Sequence, residues 1–158
     1  MNPEDFIKDA RSLLQQTGSG RPSQSSLRRA LSTAYYAMFH ALARNGADML
    51  VGAKPKVRTS DSWKNVYRSL EHTRAKKVFG NSSVMGHFPP AIQKFGEVFA
   101  KMLQKRHEAD YNPHARFTKT AVISDIDDAE RVVADLKNAS REDLRTLAVC
   151  IFFKQRTP

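Results

Sequence analysis

The stretch SSLRRALSTAYYAMFHALARNGADML, Ser25 to Leu50, decides the fold. Leu27, Leu31, Ala34, Tyr35, Met38 and Leu42 follow one helix face at steps of one, three and four, and Tyr36, Phe39 and Ala43 cover a second. A helix on the surface of a globular protein needs a single apolar stripe, so one apolar on two faces must be surrounded by others. The stretch therefore reads as the central helix of a bundle. It begins near Ser23 to Ser25, where serine suits a cap. Gly46 is expected to weaken or bend it.

Working outward, NPEDFIKDARSLLQQ puts Phe6, Ala10, Leu13 and Leu14 on one stripe. Asn2 suits the cap, Pro3 the first helical position, and Glu4 and Asp5 the first turn. TGSGRPS is expected to end this helix with its glycines and proline. VGAKPKVRTS reads as a basic loop. DSWKNVYRSLEHTRAKKVF reads as one helix capped at Ser60, with Trp63, Val66, Tyr67 and Leu70 as its stripe. GNSSVMGHFPP reads as a second loop. Pro89 and Pro90 start PPAIQKFGEVFAKMLQKRHEADY, and Asn112 and Pro113 stop it. AVISDIDDAERVVADLKN is expected to open at the capping-box-like Ser124 and Asp127, and SREDLRTLAVCIFFKQ repeats that logic at Ser140 and Asp143. No alternating β-type run competes. The expectation is one all-α domain over 1–158, an up-and-down helical bundle of five to six helices. Its core would cover about 1–140, with a final helix near 140–156 as an appendage.

Composition bounds the function classes. The chain has 158 residues, 41% of them apolar and 27% charged, as expected of a globular domain that needs no disulfide staples. Its one cysteine, Cys150, cannot form an internal disulfide, suits a reducing compartment, and is expected to be buried. No run reaches the roughly 18 apolar residues of a membrane span. The acidic, amphipathic N-terminus lacks the basic and apolar regions of a secretory signal. A cytoplasmic protein with no membrane contact is expected. The net charge is +10, and it is uneven: residues 1–120 hold 20 Lys and Arg against 9 Asp and Glu, while 121–158 hold 6 against 7. A basic body of this kind points to a polyanion or an acidic protein as partner. Arg28 and Arg29, RAKK (Arg74, Lys76 and Lys77 among them), KPKVR and Lys105 are candidate phosphate contacts.

The chemistry concentrates in KMLQKRHEADYNPH, Lys101 to His114. Phe95, Phe99 and Met102 lead along one face to Arg106 and then Asp110, so this i,i+4 pair points the way of the apolar stripe. His107 and Tyr111 lie beside it. On the structural reading Asp110 supplies the acceptor that a half-buried guanidinium needs, and Tyr111 plugs the helix end. On the functional reading, metal-free RNA cleavage needs a base, an acid and a cation for the phosphorane, and Arg106 with His107 has the right types. A two-fold dimer would bring two such pairs to one groove. His40 reads as a core-edge histidine bonded to backbone, and His72 and His87 as surface residues. His107, Glu108, Asp110 and His114 lack the spacing of a metal site, and neither a metal nor a cofactor is expected. A P-loop, a nucleophile elbow, zinc-finger spacing and a dinucleotide fingerprint are all missing.

Two segments, RRALSTAYYAMFHAL (Arg28 to Leu42) and RHEADYNP (Arg106 to Pro113), resemble the HEPN domain family. The first resembles its long central helix with a YYAxFHA run, the second its RxxADY-type subgroup. The resemblance implies a small helical bundle, usually a homodimer, with a site where the motif helices meet. Active members of that family are metal-independent endoribonucleases of toxin–antitoxin and defence systems, often beside a minimal nucleotidyltransferase. Carried over, Arg106 matches the motif arginine and His107 the polar residue after it. The closing motif histidine is absent: spacers of four, five and six residues land on Tyr111, Asn112 and Pro113, and His114 comes one position late. The resemblance thus implies a nonenzymatic or degenerate member that binds RNA or a partner protein such as a cognate nucleotidyltransferase or antitoxin. The alternative is an active metal-independent endoribonuclease using Arg106 and His107, with Asp110 and Tyr111 in support.

Overall fold

The central helix forms where the two apolar faces require it. In the computed structural model, which describes residues 1–15 and 20–156, it is α2 (Gln24–Leu50), the second of nine helices among the described residues. The others are α1 (Pro3–Gln15), α3 (Pro55–Arg58), α4 (Asp61–Arg68), α5 (His72–Phe79), α6 (Ser82–Met85), α7 (Pro90–Tyr111), α8 (Lys119–Lys137) and α9 (Arg141–Phe152). Residues 16–19, expected to end the first helix, lie outside the described residues, as do 157 and 158.

α2 packs against α1, α4, α7, α8 and α9. Every member of its first apolar face is buried, and of the second Ala43 is buried while Tyr36 and Phe39 are half-buried. Across from it α7 buries Ile92, Phe95, Phe99 and Met102. Each such large side chain contributes about 1.5–3 kcal/mol through burial. Gly46 neither ends nor breaks α2. It is a docking point: a Cβ there would stand 2.1 Å from Cε2 of Phe152. Gly96 serves the same end on α7, where a Cβ would meet Cδ1 of Phe79 at 2.6 Å.

The all-α class stands, and the helix count rises because the two loops and one helix divide further. KPKVR holds α3, with Pro55 at its first position. In the second loop the side chain of Asn81 accepts from the amides of Ser83 and Val84 to start α6. The expected helix over 61–79 splits at Ser69–Glu71, where Leu70 turns into the core. The split lets α4 lie on α2 while α5 lies on α7, which one straight helix could not do.

Serine caps form at Ser23, Ser60 and Ser140 as the sequence indicates. The expected start at Ser124 is corrected. Thr118 caps α8 by accepting from the Ala121 amide, and Ser124 lies inside the helix, since Val122 already belongs to the buried stripe. The last helix is not peripheral: α9 buries Leu147 and Ile151 in the common core, buries Ala148 as well, and packs on α2 and α5. No described helix is long and apolar enough to cross a membrane.

Candidate functional site

A polar line runs down α2 at four-residue steps, Gln24, Arg28 and Ser32, and all three hold the end of α7 and the segment after it. Gln24 donates to the Phe117 carbonyl at 2.8 Å and accepts from the Phe117 amide at 3.0 Å. Arg28 donates through Nη1 to the carbonyls of Ala109 (2.7 Å) and Asn112 (2.9 Å), and through Nη2 to that of Ala115 (2.6 Å). Its guanidinium also lies 5.6 Å from the Phe117 ring centre. α7 has no basic residue in its own last turn. Arg28 therefore supplies from another helix the donors and positive charge that a helix C-terminus needs. Ser32 donates to Oδ1 of Asp110 at 2.6 Å.

The RHEADYNP segment is set against this line. Arg106, its side chain 17% exposed, donates through Nε to Oδ2 of Asp110 at 2.9 Å, as the i,i+4 spacing indicates. The guanidinium lies 5.4 Å from the Tyr36 ring centre and 5.9 Å from that of Tyr35, within cation–π range. Burial opposes its charge, but Tyr36, Asp110 and Tyr111 more than offset this, and its pKa is raised. His107 does not join this cluster. It is exposed, with its ring centre 4.9 Å from that of Tyr111, which is 64% exposed. One helix position separates the two pairs: Arg106 and Asp110 face α2, and His107 and Tyr111 face outward.

The histidine that shares Tyr35 with Arg106 is His72, at the start of α5, which was expected on the surface. It is half-buried, stacked on Phe39 (4.3 Å, 22°), with Nδ1 2.5 Å from the hydroxyl of the fully buried Tyr35. Burial pushes the Tyr35 phenol pKa well up, so the hydroxyl stays neutral. Burial, and then the charge of Arg106, hold the His72 pKa below its usual 6.5. His40 is likewise lowered, by burial and then by the positive N-terminus. Its partner is not backbone but the Tyr67 hydroxyl, 2.6 Å from Nδ1. No local pattern announced His72. The aromatic run in α2 was the one usable signal, since it leaves hydroxyls in need of partners.

These depressed values have a sign. The unfolded chain takes up protons on both histidines below about pH 6.5, while the folded chain resists until lower pH, so stability falls on acidification through that window. The melting temperature should drop between pH 7 and pH 5, and the drop should be shallower in His72→Gln. An equal slope in that variant would remove His72 from the explanation.

Several candidate phosphate contacts are already engaged. Arg28 spends its donors on carbonyls. Lys105 binds the carboxylate of Asp125 on α8 at 2.6 and 2.8 Å, with Lys101 at 3.1 Å from the same group. Within KPKVR, Arg58 makes a two-point bond to Asp48 (2.9 and 2.7 Å), which also accepts from the Trp63 indole at 3.0 Å. Arg29 is exposed and lines an open groove of about 730 Å³ between α2 and the end of α7, together with Thr33, Tyr36, Asp110 and Tyr111. Arg74 and Lys77 line a different groove, and Lys76 is exposed on α5. Cys150 is half-buried, and burial raises its thiol pKa. Among the described residues no group of three or more His, Cys, Asp and Glu side chains converges as metal ligands would. Compared with known proteins, the chain matches no family model, no curated protein and no solved structure.

Proposed function

We propose that the chain is a HEPN-like helical protein of RNA metabolism, toxin–antitoxin or defence type, which binds single-stranded RNA along the groove between α2 and the end of α7. One observation supports this reading above others: that groove offers Arg29, which forms no ion pair among the described residues, and two tyrosine rings, Tyr36 and Tyr111, beside the half-buried Arg106 cluster. Guanidinium groups hold phosphates, and aromatic faces stack unpaired bases without demanding a sequence. The net charge of +10 adds long-range attraction to a polyanion. The same reading carries a cytoplasmic homodimer and, as further partner, a cognate minimal nucleotidyltransferase or antitoxin.

A second reading, metal-independent cleavage of the bound RNA, is favoured by His72. This histidine shares Tyr35 with Arg106, is neutral near pH 7, and has Nδ1 committed to the Tyr35 hydroxyl, so Nε2 would be the nitrogen that transfers a proton. His107, in contrast, is stacked on Tyr111 outside the cluster. One experiment addresses both readings. Labelled single-stranded RNA is titrated with wild type, Arg29→Ala/Tyr111→Ala and His72→Ala in EDTA, and the RNA is then run on a denaturing gel. Binding should weaken about tenfold or more in the double variant, roughly the worth of one stacked base and one phosphate contact. Undiminished binding would overturn the RNA reading at this groove. Intact RNA with all three proteins supports binding alone, whereas cleavage by wild type but not by His72→Ala supports the second reading.

A further inference from the structure

Three cations where α5 meets the end of α9 are not absorbed by the RNA groove. Arg74 and Lys77 on α5 and Lys154 just after α9 line a separate groove of about 490 Å³. None of the three forms an ion pair among the described residues. One carboxylate, Glu71, shares the rim with these three cations, and the apolar lining is Val78 and Val84 on one side and Phe153 on the other. Phe153 is 56% exposed, the one exposed phenylalanine of nine, and Val149 one turn earlier on α9 is exposed as well. Scattered exposed apolar residues are ordinary, but Phe153 stands with Val78, Val84 and these cations around one concavity, the composition of a binding surface.

We propose that this groove docks an acidic peptide segment of a partner protein, one that inserts an apolar side chain between Val78, Val84 and Phe153 and sets its carboxylates on Arg74, Lys77 and Lys154. An aliphatic wall with a cationic rim matches a peptide that is apolar on one side and acidic on the other. A nucleic acid would use the cations but needs stacking faces, and this groove has one ring where the α2–α7 groove has two. A second copy pairing this groove with its own counterpart would set Arg74, Lys77 and Lys154 against the same cations. The inference does not rest on the RNA reading.

Cys150, the chain's one cysteine, lines the groove and reports its occupancy. The test uses the full chain and a series of labelled acidic peptides of about twelve residues, each with one Leu, Phe or Trp. Binding is followed by anisotropy, and Cys150 access by its rate of reaction with a thiol reagent. At least one peptide should bind, slow the thiol reaction severalfold, and lose affinity tenfold or more in Lys77→Glu/Lys154→Glu. Both substituted lysines are exposed and unpaired, so this variant should melt as wild type does. The proposal falls if no peptide binds, if binding is indifferent to the charge reversal, or if single-stranded RNA protects Cys150 and the peptides do not.

Discussion

Replacing Arg28 with alanine should lower the melting temperature by roughly 5–10 °C, the shift expected for a loss of about 2–3 kcal/mol in a domain of this size. The side chain donates to three carbonyls at 2.6–2.9 Å, two at the end of α7 and one beyond it. Removing it strands acceptors at a helix end that has no basic residue in its own last turn. Lysine should recover little, because a single ammonium cannot span carbonyls arranged for a fork of planar donors. Hydrogen exchange should accelerate at the end of α7 and over 112–118, where Gln24 would be left as the main tether. An unshifted melt in Arg28→Ala would show that these carbonyls find water without cost, and would return Arg28 to the candidate phosphate contacts.

The second large effect concerns Asp125, which is 2% exposed and paired with Lys105 and Lys101. Substituting both lysines with methionine leaves a buried carboxylate with no cation. Breaking a buried pair in this way costs about 3–5 kcal/mol, or on the order of 10 °C in melting temperature. Adding Asp125→Leu to the double variant should recover most of the loss, since a buried ion pair is often replaceable by packed apolar groups. Lys105→Met alone should cost less, because Lys101 remains 3.1 Å from the carboxylate. A double variant as stable as wild type would mean that the carboxylate reaches water by a small shift of α8. RNA binding compared at a temperature where both proteins are folded should change little, since Lys105 faces α8 and not the α2–α7 groove.

How much of this was legible from residues alone depends on the range of each interaction. The long helices were legible because a 3.6-residue period repeats within one segment, and the central role of α2 because two apolar faces require neighbours on both sides. The caps at Ser23, Ser60 and Ser140 were legible for the same local reason, as was the Arg106–Asp110 pair at i,i+4. The start of α8 was misread because two local signals competed, and the buried position of Val122 favoured Thr118 over Ser124. The division of 61–79 was missed because the turn at Leu70 is imposed by two different packing partners rather than by a breaker residue.

The partners of the charged and polar side chains were a different matter. Arg28 meets its acceptors 81 to 87 residues away, Tyr35 meets His72 across 37, and Lys105 meets Asp125 across 20. No short-range pattern encodes such pairings, so a basic residue already spent on a carbonyl looks the same in the sequence as one free for a phosphate. The sequence by itself determined the five long helices α1, α2, α7, α8 and α9, the central position of α2 and the inward face of Arg106, because each follows from periodicity and local burial. Only the tertiary structure decided which cations have no ion-pair partner among the described residues, Arg29 in one groove and Arg74, Lys77 and Lys154 in another. Electrostatic pairing and desolvation depend on distances between helices, and those exist only once the chain has packed.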